Sequence, residues 1–332
     1  MSERLKTGDE METAKKLVSA SRMWHFPPMP TRQGSIRLFR LFGITVYLHW
    51  AWFLVVIYFV QMSRGIYSSS LWSVLECLSL FAIVLIHEFG HQLACRSVGG
   101  QTHDIVLWPL GGVAYVTPPQ RPGAQLWSIA AGPLVNVILF PLFFVLWVFA
   151  GSAGWQGSMP DLYNFVTMLF WINTTLLVFN MLPIFPLDGG QILRSLLWFV
   201  FGRVNSLLIA TVIGLIGVMG LIAFAIWREN LWLGIVCIFI LMNCWGALMQ
   251  ARSMSRVASA QRREGFACPV CKAVPPRGPF WVCGQCRKPF DIFETLGTCP
   301  HCSTQYAAMS CAECGAMRPI SDWEIARQSP PP

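Results

Sequence analysis

Phe81-Ala82-Ile83-Val84-Leu85-Ile86-His87-Glu88-Phe89-Gly90-His91 is the stretch on which the reading of this chain turns. It closes a long apolar segment of roughly the 20 residues a bilayer-crossing helix needs, with His-Glu-Phe-Gly-His just inside the far end. Residues four apart share a helix face, so His87 and His91 can both turn an imidazole toward one ion, with Glu88 beside them. This is the arrangement of a zinc hydrolase, in which two histidines hold the metal and the carboxylate between them takes a proton from water. An ionisable group in hydrocarbon costs on the order of 2.5–3.5 kcal/mol even on the mildest scale. Three such groups together need a partner, and a metal ion supplies one.

The rest of the composition agrees with a membrane setting. Of 332 residues 55% are hydrophobic and only 12% charged, with a mean hydropathy of +0.52, too apolar for a soluble globule of this length. An α-helical polytopic membrane protein is expected. Residues 1–34 have no continuous apolar core and read as a polar arm rather than a signal peptide. Spans are expected near 46–62, 72–95, 125–150, 162–185, 206–226 and 231–249, six in all. Residues 35–47 alternate apolar side chains with Arg37 and Arg40, as an interfacial strand or short amphipathic piece does. Gly99-Gly100 end the second span, and residues 101–117 read as a membrane-associated β-hairpin.

Six spans put both termini on one side. Arg32, Arg37, Arg40, Arg96, Arg121, Arg194, Arg203, Arg252, Arg256, Arg262 and Arg263 fall on one set of ends, against Arg64 and Arg228 on the other. By the positive-inside tendency both termini are cytosolic, and the plasma (cytoplasmic) membrane is the expected location. His87 and His91 then lie toward the cytosolic end of their span.

A catalytic zinc usually has three protein ligands and an open position. Candidates at matching depth are His103, Asp104 and Asp188. Asp188 is favoured because Gly189-Gly190 allow close backbone approach, although Asp before Gly-Gly-Gln and an apolar run is also an ordinary helix-capping signal. Here His87-Glu88-Phe89-Gly90-His91, Gly132-Pro133-Leu134-Val135-Asn136 and Asn180-Met181-Leu182-Pro183 through Asp188-Gly189-Gly190 together resemble the site-2 protease family of intramembrane zinc metalloproteases. The resemblance covers residues 35–250. It implies that His87, His91 and Asp188 bind zinc and that Glu88 is the general base. It further implies that Asn136 touches the substrate backbone, where an interhelical hydrogen bond is the alternative, and that the hairpin with Gly111 and Gly112 receives an unwound substrate along its edge. The implied function is hydrolysis of peptide bonds in or near transmembrane segments of membrane-anchored substrates.

After a basic linker, 251–265, residues 266–320 hold four C-x-x-C pairs: Cys268/Cys271, Cys283/Cys286, Cys299/Cys302 and Cys311/Cys314. Two such knuckles place four thiolates around one tetrahedral zinc, so a double zinc ribbon with two structural ions is expected, followed by a tail at 321–332. Pairing in sequence order is simplest and interleaving is open. Cys77, Cys95, Cys237 and Cys244 read as packed thiols. The basic excess over 252–288 suits anionic lipid heads better than nucleic acid, since it is tethered beside the bilayer; the ribbon's own partner is not written in the sequence. Two other functions compete. A catalytically silent zinc-binding membrane adaptor would work through the ribbons, and retention of Glu88 speaks against it. A metal transporter would need acids or histidines across several spans, where Glu76 is the one evident extra.

Overall fold

The structure, a computed structural model, describes residues 34–62, 65–108, 111–311, 313–314 and 316–325. Residues 1–33, 63–64, 109–110, 312, 315 and 326–332, among them Arg64 and the polar arm other than Gly34, lie outside that set. The chain divides into two compact units, one over Arg32–Arg252 and one whose described part begins at Ser253.

In the first unit the sheet and the helices are built on each other. Strand β1 (Ser35–Leu41) turns back at Phe42-Gly43 and pairs antiparallel with β2 (Ile44–His49). Helix α1 (Trp52–Met62) and helix α2 (Ser70–Ser97) follow, and then β3 (Gln101–Trp108) pairs parallel with β2, with Val46 opposite Ile105 and Leu48 opposite Leu107. Parallel neighbours need a crossover, and here the crossover is the helix pair itself. Strand β4 (Gly111–Thr117) returns antiparallel on β3, completing a sheet of order β1-β2-β3-β4. The amphipathic piece and the hairpin expected separately are therefore two halves of one sheet. Ile44, Val46, Ile105 and Leu107 point from one face into a cluster with Trp52, Cys77, Val84 and Phe89, which is what the period-two apolar alternation requires.

Helix α3 (Pro122–Ser152) packs on α2, on α4 (Pro160–Asn180) and on α5 (Asp188–Trp227), with α6 (Leu231–Ser259) after them. Among the described residues five helices are long and apolar enough to cross a membrane. The first expected span falls short because its opening residues are β2, leaving α1 with 11 residues, about 16 Å against about 30 Å of hydrocarbon. The fifth expected span also differs: α5 starts at Asp188 and continues through a non-helical Gly202, so a helical segment precedes the residues read as the span. Cys77, Cys95, Cys237 and Cys244 are all buried.

The second unit is small and organised on two short hairpins, β5 (Trp281–Val282) with β6 (Pro289–Phe290) and β7 (Ala308–Ser310) with β8 (Met317–Pro319). Trp281, Phe290, Ile292, Phe293, Tyr306, Met309 and Trp323 make its core. Trp323, which the sequence division left in the tail, is 1% exposed there, and Glu324 bridges back to Phe266.

Candidate metal centre

Two helices converge on one point. His87 and His91 lie one turn apart on α2, and Asp188 opens α5 directly after the turn made by Pro183 and Pro186. Asp188 is thus the first residue of a helix rather than its cap or the end of the span before it. Its Oδ2 is 3.1 Å from His87 Nε2 and 3.4 Å from His91 Nε2, and the two Nε2 atoms are 3.2 Å apart. Ligands at about 2.0–2.1 Å on a tetrahedral zinc sit about 3.3–3.4 Å from one another, so the three atoms already have the spacing of one coordination shell.

The far sides of the rings fix which nitrogen is free. His91 Nδ1 is 2.9 Å from the backbone carbonyl of Ser128, which can only accept, so Nδ1 carries the proton. For His87 the same conclusion takes one more step. Asn136 donates through Nδ2 to Asn173 Oδ1 at 2.8 Å, and Asn173 Nδ2 donates to the Asn136 carbonyl at 3.0 Å. The amide of Asn136 is thereby oriented, its Oδ1 accepts from His87 Nδ1 at 2.5 Å, and His87 Nε2 is left unprotonated toward Asp188. Such outer contacts hold a ring in its ligating tautomer.

Space for an ion is kept by a missing side chain. A Cβ on Gly132 of α3 would run into Nε2 of both histidines, so the nearest turn of the neighbouring helix has no atoms where the rings converge. The donor set, its spacing and this cradle all fit zinc. His87, His91 and Glu88 are 3%, 5% and 6% exposed. Glu88 follows His87 on α2 and lies against β4, where a Cβ on Gly112 would overlap its carboxylate.

Asn136 is fully buried and its amide bonds His87 and Asn173, the interhelical hydrogen bonding named as the alternative. Gly112 meets Glu88. Gly111 begins β4 and pairs with Trp108. Asn173 and Ser128 escaped the sequence reading. For Asn173 the signal was present, an amide in the middle of the apolar helix α4; a backbone carbonyl such as that of Ser128 leaves none.

The eight ribbon thiols form two groups, Cys268/Cys271/Cys311/Cys314 and Cys283/Cys286/Cys299/Cys302. The first knuckle joins the fourth and the second joins the third, so the simple order is corrected to a nested one. Cross-knuckle sulfurs are 3.8 Å (Cys268–Cys314), 3.7 Å (Cys271–Cys311), 3.4 Å (Cys283–Cys302) and 3.7 Å (Cys286–Cys299) apart. A tetrahedral site with Zn–S of about 2.3 Å has edges of about 3.8 Å.

With this geometry in view, the likenesses are specific. A family model, Peptidase family M50, matches residues 76–158 and 156–224. A zinc metalloprotease of Methanocaldococcus jannaschii is 34% identical over 206 residues, 62% of this chain and 58% of that protein. A Synechocystis sp. protein named "Putative zinc metalloprotease sll0528" is 30% identical over 284 residues, 80% of this chain and 72% of its own length. The chain belongs to peptidase family M50. Against the solved Site-2 Protease from Methanocaldococcus jannaschii it has 30% identity and a TM-score of 0.47, over 64% of this chain and 95% of the other. The M50 model spans the helices that carry His87, His91, Asn136 and Asp188, and stops before the cysteine-rich unit. This member of the M50 family therefore adds eight ribbon thiols that the family model leaves unmatched.

Proposed function

We propose that this chain is a zinc endopeptidase that hydrolyses peptide bonds in or near transmembrane segments of membrane-anchored substrates. One observation carries the reading: two unprotonated imidazole nitrogens and a carboxylate oxygen meet beside a buried glutamate, on helices apolar enough to lie in a bilayer. His87, His91 and Asp188 would hold the ion, which when bound supplies Lewis acidity toward a carbonyl and toward water. Glu88 takes the proton from the attacking water and delivers it to the departing amine nitrogen. Asn136 and Ser128 hold the rings in place meanwhile. Strand β4 closes one side of the sheet, and its outer edge offers backbone groups to a substrate strand unwound from its helix. Polar backbone at that depth is tolerable where protein or water satisfies it.

The wider arrangement belongs to the same proposal: one catalytic and two structural zinc ions, a sixth crossing that takes in β2 together with α1, and both termini cytosolic in the plasma membrane. Glu88→Gln tests the chemistry. Purified variant should keep its metal and lose cleavage of a reporter transmembrane segment, and unchanged cleavage would refute the assignment. A substrate that accumulates only with Glu88→Gln separates the enzyme from a silent zinc-binding adaptor, for which the variant is indifferent.

A further inference from the structure

Two arginines away from the metal centre have no salt-bridge partner among the described residues. Arg194 lies in the first half of α5, and Arg203 follows the break at Gly202, where φ is 74° and ψ 175°. Both are half-buried, and the Nε of each is buried without an acceptor among the described residues. No carboxylate among the described residues pairs with either. Arg203 stands 6.0 Å from the ring centre of Trp198 and lies close enough for its charge to act on Arg194. Two like charges in partial burial repel each other more strongly than in water. What the pair lacks is an oxyanion, and phosphate matches guanidinium forks best.

The setting indicates where that phosphate comes from. Just before the break, Phe199, Val200 and Phe201 are exposed, Val200 to 77%, on a helix apolar enough to cross a membrane. Side chains so placed meet acyl chains. Helix α3 starts alongside, since a Cβ on Gly123 would come within 3.9 Å of Phe199, and that brings exposed Arg121 to the same end. Exposed Trp127 and half-buried Trp198 are of the type that gathers at headgroup depth. We infer that Arg194 and Arg203 bind the phosphate of an anionic phospholipid headgroup at the break in α5. The inference rests neither on zinc nor on proteolysis. Because Asp188 begins the same helix, about 9 Å of rise before Arg194, the headgroup fastens the helical segment that presents the third ligand atom.

The test uses the full chain, by native mass spectrometry from micelles doped with phosphatidylglycerol and phosphatidylcholine. Wild type should retain phosphatidylglycerol preferentially, and Arg194→Gln and Arg203→Gln should each lower its retention about fivefold, with zinc content unchanged as the control for folding. Should those variants fail to fold, protection of Arg194 and Arg203 in the wild type from phenylglyoxal decides: phosphatidylglycerol should protect both and phosphatidylcholine neither. Millimolar inorganic phosphate should not substitute. Equal retention by wild type and variants, equal protection by the two lipids, or protection by free phosphate alone overturns the inference.

Discussion

Asn136 shows how much depends on one amide. It links α3 to the ring of His87 and to Asn173 of α4, so Asn136→Leu both frees the ring and strands a buried partner. Loss of an outer-shell contact of this kind costs about 10–100-fold in metal affinity or activity. Chelator competition on purified Asn136→Leu should show a drop in that range, with Asn136→Asp, which keeps the acceptor, affected less. Gly132→Ala is expected to be harsher, because the added methyl occupies the place where the rings converge. Metal analysis should find the membrane site empty while thermal unfolding stays cooperative. At this scale the sequence was clear where spacing carries information. His87 and His91 are four apart and declare themselves, whereas Asn136 announced only that it was polar. Its partners come from helices remote in sequence, and nothing local says which face they share.

Among the elements, β4 and the ribbon hairpins repay comparison. The apolar runs gave away the helices, because burial in lipid imposes a length and a composition. The hairpin over 101–117 was legible from its turn chemistry, but its parallel partner was not, since β2 lies beyond a crossover of two helices. Likewise C-x-x-C announces a knuckle without saying which other knuckle completes it. Nesting has a consequence that can be measured. The inner site closes a short loop, and once closed it shortens the effective loop of the outer one. Cys283→Ser should therefore cost the ribbon both its ions, whereas Cys314→Ser should cost only the outer one, as zinc counts on the full chain would show.

The inner knuckle also has a definite proton count. Burial pushes the Cys283 thiol up, but the backbone amides of Cys286 and Gln285 and the Tyr306 hydroxyl outweigh it and bring it to about 6. For Cys286 the Lys288 amide pulls down, while desolvation and the adjoining sulfurs hold it up at about 11. A depressed thiol is ionised above its value, so at neutral pH Cys283 is already a thiolate and Cys286 is not. Zinc uptake there should release fewer than four protons, and the number should rise as the pH falls toward 6. Calorimetry in buffers of different ionisation enthalpy reads this directly.

For the whole molecule, the two units make separate demands on metal. The ribbon buries Trp281, Phe293 and Trp323 in a small core, and on the proposed reading zinc on its two groups of thiols contributes the stability such a core lacks. Chain ended at Ala260 should lose the ribbon ions yet keep one membrane-site zinc, as metal analysis of the purified protein would record. The division into a membrane part and a cysteine-rich part was plain from composition, since hydropathy falls where the thiols begin. Its borders were not, because Trp323 joins the ribbon core through contacts rather than through any motif.

The parallel match of β2 to β3 finally dictates an order of birth. Ile44–His49 leaves the ribosome long before Gln101–Trp108, and α2, long and apolar enough to cross a bilayer, is made in between. During that interval the early strand has one side unmatched, a vulnerable state of the kind that long-range pairing prolongs. The seam of the sheet can be sealed only after the helix bearing both histidines is in place, so a nascent chain stalled before Gln101 holds its imidazoles but not yet the strand that shields Glu88.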